Sequence, residues 1–381
     1  MKIGIFTNNY LPNAYGVSTS IETFRRDFEK MGHEVFIFAP EWKGYKDENK
    51  NVFRYPSIDI EIKFRFPLPV PYSWKINKIL KNLDLDIIHA QHPNLLGTAA
   101  MKWARKKKIP LVFTWHTLYD QYTNFVPFLP KKFAANYMIK KAVKFANSSD
   151  VVIVPTSSII PIIKKWGVKK EITSIATGVV EKDFENPDRK SVRGKFKIKD
   201  DEVLLLLISR LTEEKNIEFV LEAVTEILKN NEKVKFLVGG EGYLVPKLKE
   251  YAADHNLGEK IIFTGEIGRT EIKDYYATGD IFIWGSKSET QGMILTEVMY
   301  SGLPVVAVEA TGSKSLVINE VNGFLVKDDE EEFSKAVEKL INNKDLRQKF
   351  GEASKKIARD SFTSEICAKK MLGVYEKCLN H

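Results

Sequence analysis

Short apolar segments alternate with amphipathic helical patterns along nearly the whole chain, and this alternation restricts the fold more than any other feature. Such alternation is typical of buried parallel strands joined by crossover helices. The pattern predicts an α/β fold with two Rossmann-like domains. The predicted strands are Lys2–Thr7, Glu34–Ala39, Asp86–Ala90, Pro110–Trp115 and Asp150–Pro155 in the first half, and Val203–Ile208, Val234–Val238, Lys260–Thr264, Asp280–Trp284 and Pro304–Val308 in the second.

The length of the chain also indicates two domains. It has 381 residues, whereas a single hydrophobic core rarely serves more than about 250 to 300 residues. The strand pattern lapses near Thr177 and Gly178, and a charged stretch follows. We therefore predict an N-terminal domain of residues 1–180 and a C-terminal domain of residues 181–362. A helical pattern over residues 363–381 is expected to pack back on the first domain.

Charge is distributed unevenly between the two halves. Residues 1–180 contain 27 Lys and Arg against 14 Asp and Glu, within a net charge of +8 for the chain. A basic domain favours anionic partners such as acidic lipid headgroups or phosphorylated substrates. Nucleic acid is not expected, because no helix-turn-helix, zinc-finger or RNA-recognition signature accompanies the charge. Without a long apolar segment or a signal peptide, a cytoplasmic location is expected.

Two glutamates, Glu289 and Glu297, flank a glycine at a predicted helix start. Their segment leaves the carboxyl edge of a predicted parallel sheet, where helix N-termini direct free amides toward ligands. Gly292 would let the backbone approach an anion. Because a carboxylate only accepts hydrogen bonds, the two glutamates suit the hydroxyls of a sugar and of a ribose. A helix cap and a solvated helix residue are the alternative interpretation.

Two cations follow the strand Val203–Ile208 in the second half. Arg210 lies two residues after the end of the strand, and Lys215 lies one short loop further. A guanidinium and an ammonium at that position would stabilise the charge that builds on a departing nucleoside diphosphate. A solvated pair of loop residues is the alternative.

Together these motifs resemble the family-four retaining glycosyltransferases of the GT-B type, over nearly the whole chain. Within that family, the segment Thr114–Tyr122 is most similar to members that glucosylate diacylglycerol. The resemblance implies two Rossmann-like domains that face each other across a cleft. The matching segments are Gly4–Pro12 with Gly16 and Val17, Ser209–Leu211 with Lys215 and Asn216, Gly239–Gly242, and Glu289–Glu297 with Ser301–Pro304.

The resemblance also implies roles for individual residues. In the predicted catalytic group, Arg210 and Lys215 stabilise the leaving diphosphate, Glu289 positions the sugar, and His116 contacts the sugar or its diphosphate. On the acceptor side, His92 and Tyr119 are predicted, although both histidines also fit an ordinary structural role. The predicted donor-binding residues are Gly16, Glu241, Ile267, Gly292, Met293, Ile294 and Glu297.

Neither a metal site nor a cofactor site is predicted. The six histidines have no metal-ligand spacing such as His-Glu-x-x-His. The resemblance implies that only a nucleotide-sugar donor, of which UDP-glucose is favoured, is required. An NAD dehydrogenase is not expected, since neither first-strand loop carries G-x-G-x-x-G.

Basic and aromatic residues interleave in three segments of the first half, Lys63–Lys75, Lys102–Lys108 and Pro130–Phe145. That composition is typical of surfaces that bind anionic membranes. Each segment alone also fits a helix whose apolar stripe faces the core. The residues predicted to face the membrane or the acceptor are Trp103, Lys131, Lys132 and Phe133.

The resulting hypothesis is a retaining transferase that moves a hexose, preferably glucose from UDP-glucose, to a membrane lipid hydroxyl such as that of diacylglycerol. The enzyme would lie peripherally on the inner face of the plasma membrane. The first alternative keeps this chemistry but uses a soluble sugar-phosphate or polyol-phosphate acceptor. Two alternatives of other classes are a sugar-nucleotide epimerase, which shares twin Rossmann sheets, and a nonenzymatic nucleotide-sugar binding module.

Overall fold

The last helix of the chain belongs with the first part of the sequence rather than with the residues that precede it. One compact unit contains Met1–Gly178 together with Ser364–His381, and the other contains Val179–Thr363. The computed structural model describes residues 1–13, 16–61, 65–119 and 131–380. The side chains of Glu61, Arg65, Lys131 and Lys132 lie outside that description.

A sheet of seven parallel strands forms the centre of the first unit, in the spatial order β3-β2-β1-β6-β7-β8-β9. Its central strands are continuous apolar segments, as expected for strands buried on both faces. Strands β4 and β5 form a separate antiparallel hairpin. The strands are β1 (Lys2–Phe6), β2 (Glu34–Pro40), β3 (Val52–Tyr55), β4 (Ser57–Glu61), β5 (Arg65–Pro69), β6 (Ile87–Ala90), β7 (Leu111–Thr114), β8 (Val151–Val154) and β9 (Glu171–Ser174).

Six helices accompany this sheet among the described residues. The first and the last pack against each other, with Phe28 and Tyr375 at a ring distance of 5.7 Å. This contact joins the two stretches of sequence into one core. The helices are α1 (Gly16–Lys30), α2 (Trp74–Asn82), α3 (Leu96–Lys107), α4 (Lys131–Ala146), α5 (Ile160–Trp166) and α14 (Ser364–Leu379).

The second unit contains a parallel sheet of six strands in the order β12-β11-β10-β13-β14-β15. The strand order reverses between β10 and β13, which places the loops after these two strands beside each other. The strands are β10 (Val203–Ile208), β11 (Val234–Gly239), β12 (Ile261–Gly265), β13 (Ile281–Trp284), β14 (Val305–Val308) and β15 (Gly323–Val326). The helices are α6 (Arg189–Lys195), α7 (Ile217–Asn230), α8 (Val245–Asp254), α9 (Ile272–Thr278), α10 (Met293–Tyr300), α11 (Thr311–Lys314), α12 (Glu330–Ile341) and α13 (Lys344–Ser361).

The predicted strands are all present, and their ends differ from the prediction by no more than one residue. Five strands were not predicted: β3, β4, β5, β9 and β15. Three of them, β3, β9 and β15, are three of the four outer strands of the two sheets, and β4 and β5 form the isolated hairpin. Strands β3, β4, β5 and β9 mix polar with apolar residues, so they lack the continuous apolar pattern that identifies a central strand, whereas β15 is apolar but only four residues long.

Across the described ranges, none of the helices combines the length and apolar composition that crossing a bilayer requires.

Candidate functional sites

Loops at the carboxyl edge of the second sheet are bound tightly to one another. The backbone of Ser209 donates to Gly239 at 3.0 Å, and that of Leu211 donates to Glu241 at 2.8 Å. Gly240 has a φ of +119°, and a Cβ there would lie 1.8 Å from the Ser209 carbonyl oxygen. Only glycine fits at this position, because any side chain would collide with the loop that carries Arg210.

Lys215 and Glu289 meet at the point where the strand order reverses. The Lys215 ammonium donates to a Glu289 carboxylate oxygen, and both side chains are largely buried. Two serine hydroxyls, of Ser286 and Ser288, donate to the Glu214 carbonyl oxygen at 3.2 and 3.3 Å, which ties the loop after β13 to the loop after β10. The structure therefore brings two of the predicted catalytic residues into direct contact.

Arg210 lies on the same loop but in a different environment. Its side chain is 59% exposed and donates to Glu214 at 3.2 Å. Exposed pairs of this kind are worth only about 0 to 1 kcal/mol. The guanidinium can therefore turn toward an anionic ligand at small cost.

Glu297 lies in the second turn of α10 and is only 6% exposed. One of its oxygens accepts from the Arg269 guanidinium, and the other accepts from the Tyr276 hydroxyl at 3.1 Å. Burial raises the pKa of Glu297 above its ordinary value, whereas Arg269 and the Tyr276 hydroxyl act to lower it. Glu297 and Glu289 therefore belong to different ion pairs. Glu297 pairs with Arg269, and Glu289 pairs with Lys215.

The other predicted donor-binding residues lie in three places. Gly292 caps the N-terminus of α10 with a φ of +70°, a left-handed conformation that favours glycine, and is followed by the half-buried Met293 and Ile294. The exposed Glu241 and the side chain of Ile267 lie on the adjacent loops after β11 and β12. The sixth residue, Gly16, is in the other unit, where it is exposed at the start of α1.

The loops after β1 and β6 meet in the first unit, again where the strand order reverses. The backbone N–H of Asn8 donates to Nδ1 of His92 at 3.1 Å. The side-chain amide of Asn8 donates to Asn94 at 2.8 Å, and its oxygen accepts from the Leu96 backbone at 3.0 Å. Asn8 therefore fixes the loop that carries His92 at the start of α3.

His116 follows strand β7, and its Nε2 lies 2.7 Å from Oε1 of Gln91. Because an amide oxygen only accepts hydrogen bonds, this contact favours the tautomer with hydrogen on Nε2. Burial, with smaller contributions from His92 and His89, lowers the pKa of His116 to about 3. The ring is consequently neutral at pH 7, and its Nδ1 can accept a hydrogen bond.

A small, mostly apolar cavity adjoins these residues. Its volume is about 20 Å³, enough for about one water molecule, and His89, Gln91 and Thr114 contribute to its lining. The His89 ring is bonded on both sides, to the Tyr375 hydroxyl and to Thr114, at 2.6 Å each. Burial lowers the pKa of His89 to about 3. This histidine is structural, since both of its ring nitrogens are occupied.

Among the described residues, no group of three or more His, Cys, Asp or Glu side chains is placed to hold a metal ion.

Two family models together match most of the chain. Residues 14–182 match the model described as Glycosyltransferase Family 4, and residues 188–357 match the model described as Glycosyl transferases group 1. An alpha-monoglucosyldiacylglycerol synthase of Streptococcus pneumoniae is 35% identical to this chain, over 91% of the chain and 80% of the relative. The chain belongs to glycosyltransferase family 4.

Further proteins are similar to this family 4 glycosyltransferase in sequence or in fold. An alpha-monoglucosyldiacylglycerol synthase of Acholeplasma laidlawii is 30% identical over 98% of the chain and 96% of the relative. The crystal structure of Anabaena HepE in complex with UDP superposes with a TM-score of 0.81, covering 99% of this chain and 100% of that one at 17% identity. The predicted GT-B fold class is confirmed.

The residues predicted to face a membrane fall into different environments in this glycosyltransferase. Phe133 is 72% exposed on α4, whereas Trp103 is 4% exposed and packs in the core of the first unit. The prediction that Trp103 lies on a membrane surface is therefore wrong, because helical periodicity alone did not show which face of α3 is buried. Tyr119 is half-buried against Trp115, and the side chains of Lys131 and Lys132 lie outside the described residues.

Proposed function

We propose that this family 4 enzyme is a retaining glucosyltransferase that transfers glucose from UDP-glucose to a hydroxyl of diacylglycerol, at the cytoplasmic surface of the plasma membrane. The observation that carries the proposal is the similarity over nearly the whole chain to two relatives named alpha-monoglucosyldiacylglycerol synthase. The UDP bound to the HepE fold neighbour is compatible with a uridine donor.

The chemistry requires charge stabilisation rather than a protein nucleophile. The bond between C1 of glucose and the β-phosphate oxygen breaks, and a bond from C1 to the lipid hydroxyl oxygen forms on the same face of the sugar. The hydroxyl proton passes to the departing phosphate. Arg210 and Lys215 would stabilise the negative charge of that phosphate, which is the largest electrostatic demand of the step.

Glu289 has two tasks in this scheme. It neutralises Lys215 before the donor arrives, and it accepts hydrogen bonds from sugar hydroxyls once the donor is bound. A carboxylate can serve both partners because it has about four lone-pair sites. His116, neutral and with Nδ1 able to accept, suits a further sugar hydroxyl.

Two exposed patches of aromatic and basic residues in the first unit support a lipid acceptor. The α2 patch consists of Tyr72, Trp74, Lys75 and Lys78, and Trp74 is 73% exposed. The α4 patch consists of Phe133, Tyr137, Lys140 and Lys141. Aromatic rings beside lysines suit the interface of an anionic membrane.

The test is a transfer assay with radiolabelled UDP-, GDP- and ADP-sugars against dioleoylglycerol in mixed micelles and against soluble sugar phosphates. We expect labelled glucose to enter the lipid fraction from UDP-glucose, and the product to have the α configuration by NMR. Transfer only to soluble phosphates would favour the soluble-acceptor alternative. Conversion of the donor sugar without an acceptor would favour the epimerase.

A further inference from the structure

Glu297 is the only charged residue of α10 and is almost fully enclosed. An isolated buried carboxylate tends to take up a proton, and the protonated form is a poorer acceptor of hydrogen bonds. Any role of Glu297 toward a ligand hydroxyl therefore depends on a group that keeps it charged.

Arg269 is placed to keep Glu297 charged. It lies on the loop after β12, and one arm of its guanidinium donates to Glu297 while the other donates to Asp183 at 3.3 Å. The guanidinium also lies over the Phe184 ring, 5.5 Å from its centroid. Contacts from two separate parts of the second unit, the Asp183–Phe184 segment and α10, thus hold this half-exposed side chain in one position.

We propose that Arg269 is a positioning residue for nucleotide recognition, which keeps Glu297 ionised and fixed so that this carboxylate accepts hydrogen bonds from a ribose diol. The proposal rests on the proposed function, because it assumes a nucleotide-sugar donor. Arg269 and Tyr276 together occupy two of the roughly four lone-pair sites of the carboxylate. The remaining sites are sufficient for the two hydroxyls of a ribose.

The groups that face Glu297 act in opposite directions. Arg269 and the Tyr276 hydroxyl favour the ionised carboxylate, whereas burial and the negative charge of Asp183 disfavour it. Burial raises the pKa of Tyr276 well above its ordinary value, so that hydroxyl stays protonated and continues to donate. Without Arg269, the balance shifts toward the protonated acid.

The experiment is calorimetric titration of the full-length protein with UDP and with 2′,3′-dideoxy-UDP at pH 6 and pH 8. We expect Arg269→Gln to weaken UDP binding about 10- to 100-fold, the usual range for a lost charged hydrogen bond. The loss of UDP affinity in Arg269→Gln should be smaller at pH 8, where Glu297 regains its charge. Arg269→Lys should retain most of the UDP affinity of the unsubstituted protein. Binding of the dideoxy nucleotide should not change.

Two further variants serve as comparisons. Arg189→Gln removes a guanidinium that is about as exposed as that of Arg269 and pairs with Asp280 in the same unit. This variant should bind both nucleotides as tightly as the unsubstituted protein. Tyr276→Phe removes the second hydrogen bond of Glu297. It should weaken UDP binding alone, by a smaller factor, so the proposal stays testable if Arg269→Gln does not fold.

Each contrary result has a distinct meaning. Equal losses for both nucleotides, or no loss, would overturn the role of Arg269. A protein that binds UDP without preferring it over the dideoxy form would also overturn this inference, while leaving the proposed function intact. If the unsubstituted protein binds GDP or ADP instead, the matching dideoxy pair replaces UDP and only the proposed donor is wrong. Binding of none of the three would end both proposals.

Discussion

The ammonium group of Lys215 contacts the carboxylate of Glu289 across 74 positions of sequence. The contact follows from topology, since β10 and β13 are neighbours in the sheet and their loops leave from the same edge. Helix α11, which follows β14, packs closely against it, because a Cβ at Gly312 would lie 2.7 Å from Cβ of Glu289. A cation and an acid are thus held where a phosphorylated sugar is expected.

Replacing Lys215 with Met should lower turnover much more than donor affinity. A group that stabilises developing charge contributes mainly in the transition state, so kcat should fall about 10²- to 10³-fold while the KM for UDP-glucose changes little. Lys287→Met is the matched control, since Lys287 pairs with Asp328, on the loop after β15, at 2.6 Å. Steady-state kinetics measure both, and an unchanged kcat at saturating donor would remove Lys215 from the catalytic group.

Replacing Gly240 with Ala should destabilise the second unit. The φ of +119° is unfavourable for Ala, and its methyl group would collide with the Ser209 carbonyl oxygen. We expect the free energy of unfolding to fall by about 2 to 4 kcal/mol, measured by urea denaturation. Gly258→Ala is the control, because a Cβ there meets nothing within 4 Å. Similar stability of the two variants would contradict this account of the glycine motif.

The first unit should lose stability as the pH falls below about 6.5. Burial lowers the pKa of His89 to about 3, so between these values the unfolded chain binds a proton that the folded chain does not. Each such histidine lowers the free energy of unfolding by about 1.4 kcal/mol per pH unit in that range. His89→Gln should therefore show a shallower decline between pH 6 and pH 4, although it is less stable at pH 7.

Urea denaturation at several pH values measures this decline. His255→Gln, in the second unit, should leave it unchanged. An identical decline in His89→Gln and in the unsubstituted protein would mean that other groups cause the acid sensitivity.

Replacing Trp74 and Phe133 with Ser should weaken binding to anionic vesicles. Both rings are exposed, and each belongs to a patch that contains lysines. We expect the double variant to lose at least about 10-fold in affinity for vesicles rich in phosphatidylglycerol, measured by flotation, because two interfacial rings no longer insert. Ile318→Ser, which removes an exposed apolar side chain from the second unit, is the control. Equal flotation of both variants would contradict the membrane assignment of these patches.

The central strands were predictable because they are buried on both faces and therefore consist of continuous apolar segments. The edge strands β3 and β9 mix polar with apolar residues and have no such pattern. The pairing of Lys215 with Glu289 could be anticipated from two strand ends at one sheet edge. Arg269 could not, because nothing in its local sequence shows that it reaches a carboxylate 28 positions away.

Predictions based on helical periodicity alone were the least secure. Phe133 and Trp103 both lie in basic and aromatic segments, yet Phe133 is exposed and Trp103 is buried. The apolar stripe of an amphipathic helix has the same period whether it faces the core or a membrane. Only the packing of α3 shows whether its stripe faces the core or a membrane. That packing involves residues that are far apart in the sequence.

The position of α14 in the first unit has a consequence for biosynthesis. Tyr375 supplies the hydroxyl that binds His89, so the core of the first unit lacks this partner until the ribosome has made α14. The second unit is continuous in sequence and can close earlier. During synthesis the second unit can therefore close before the first, which is the reverse of the usual amino-terminal-first order.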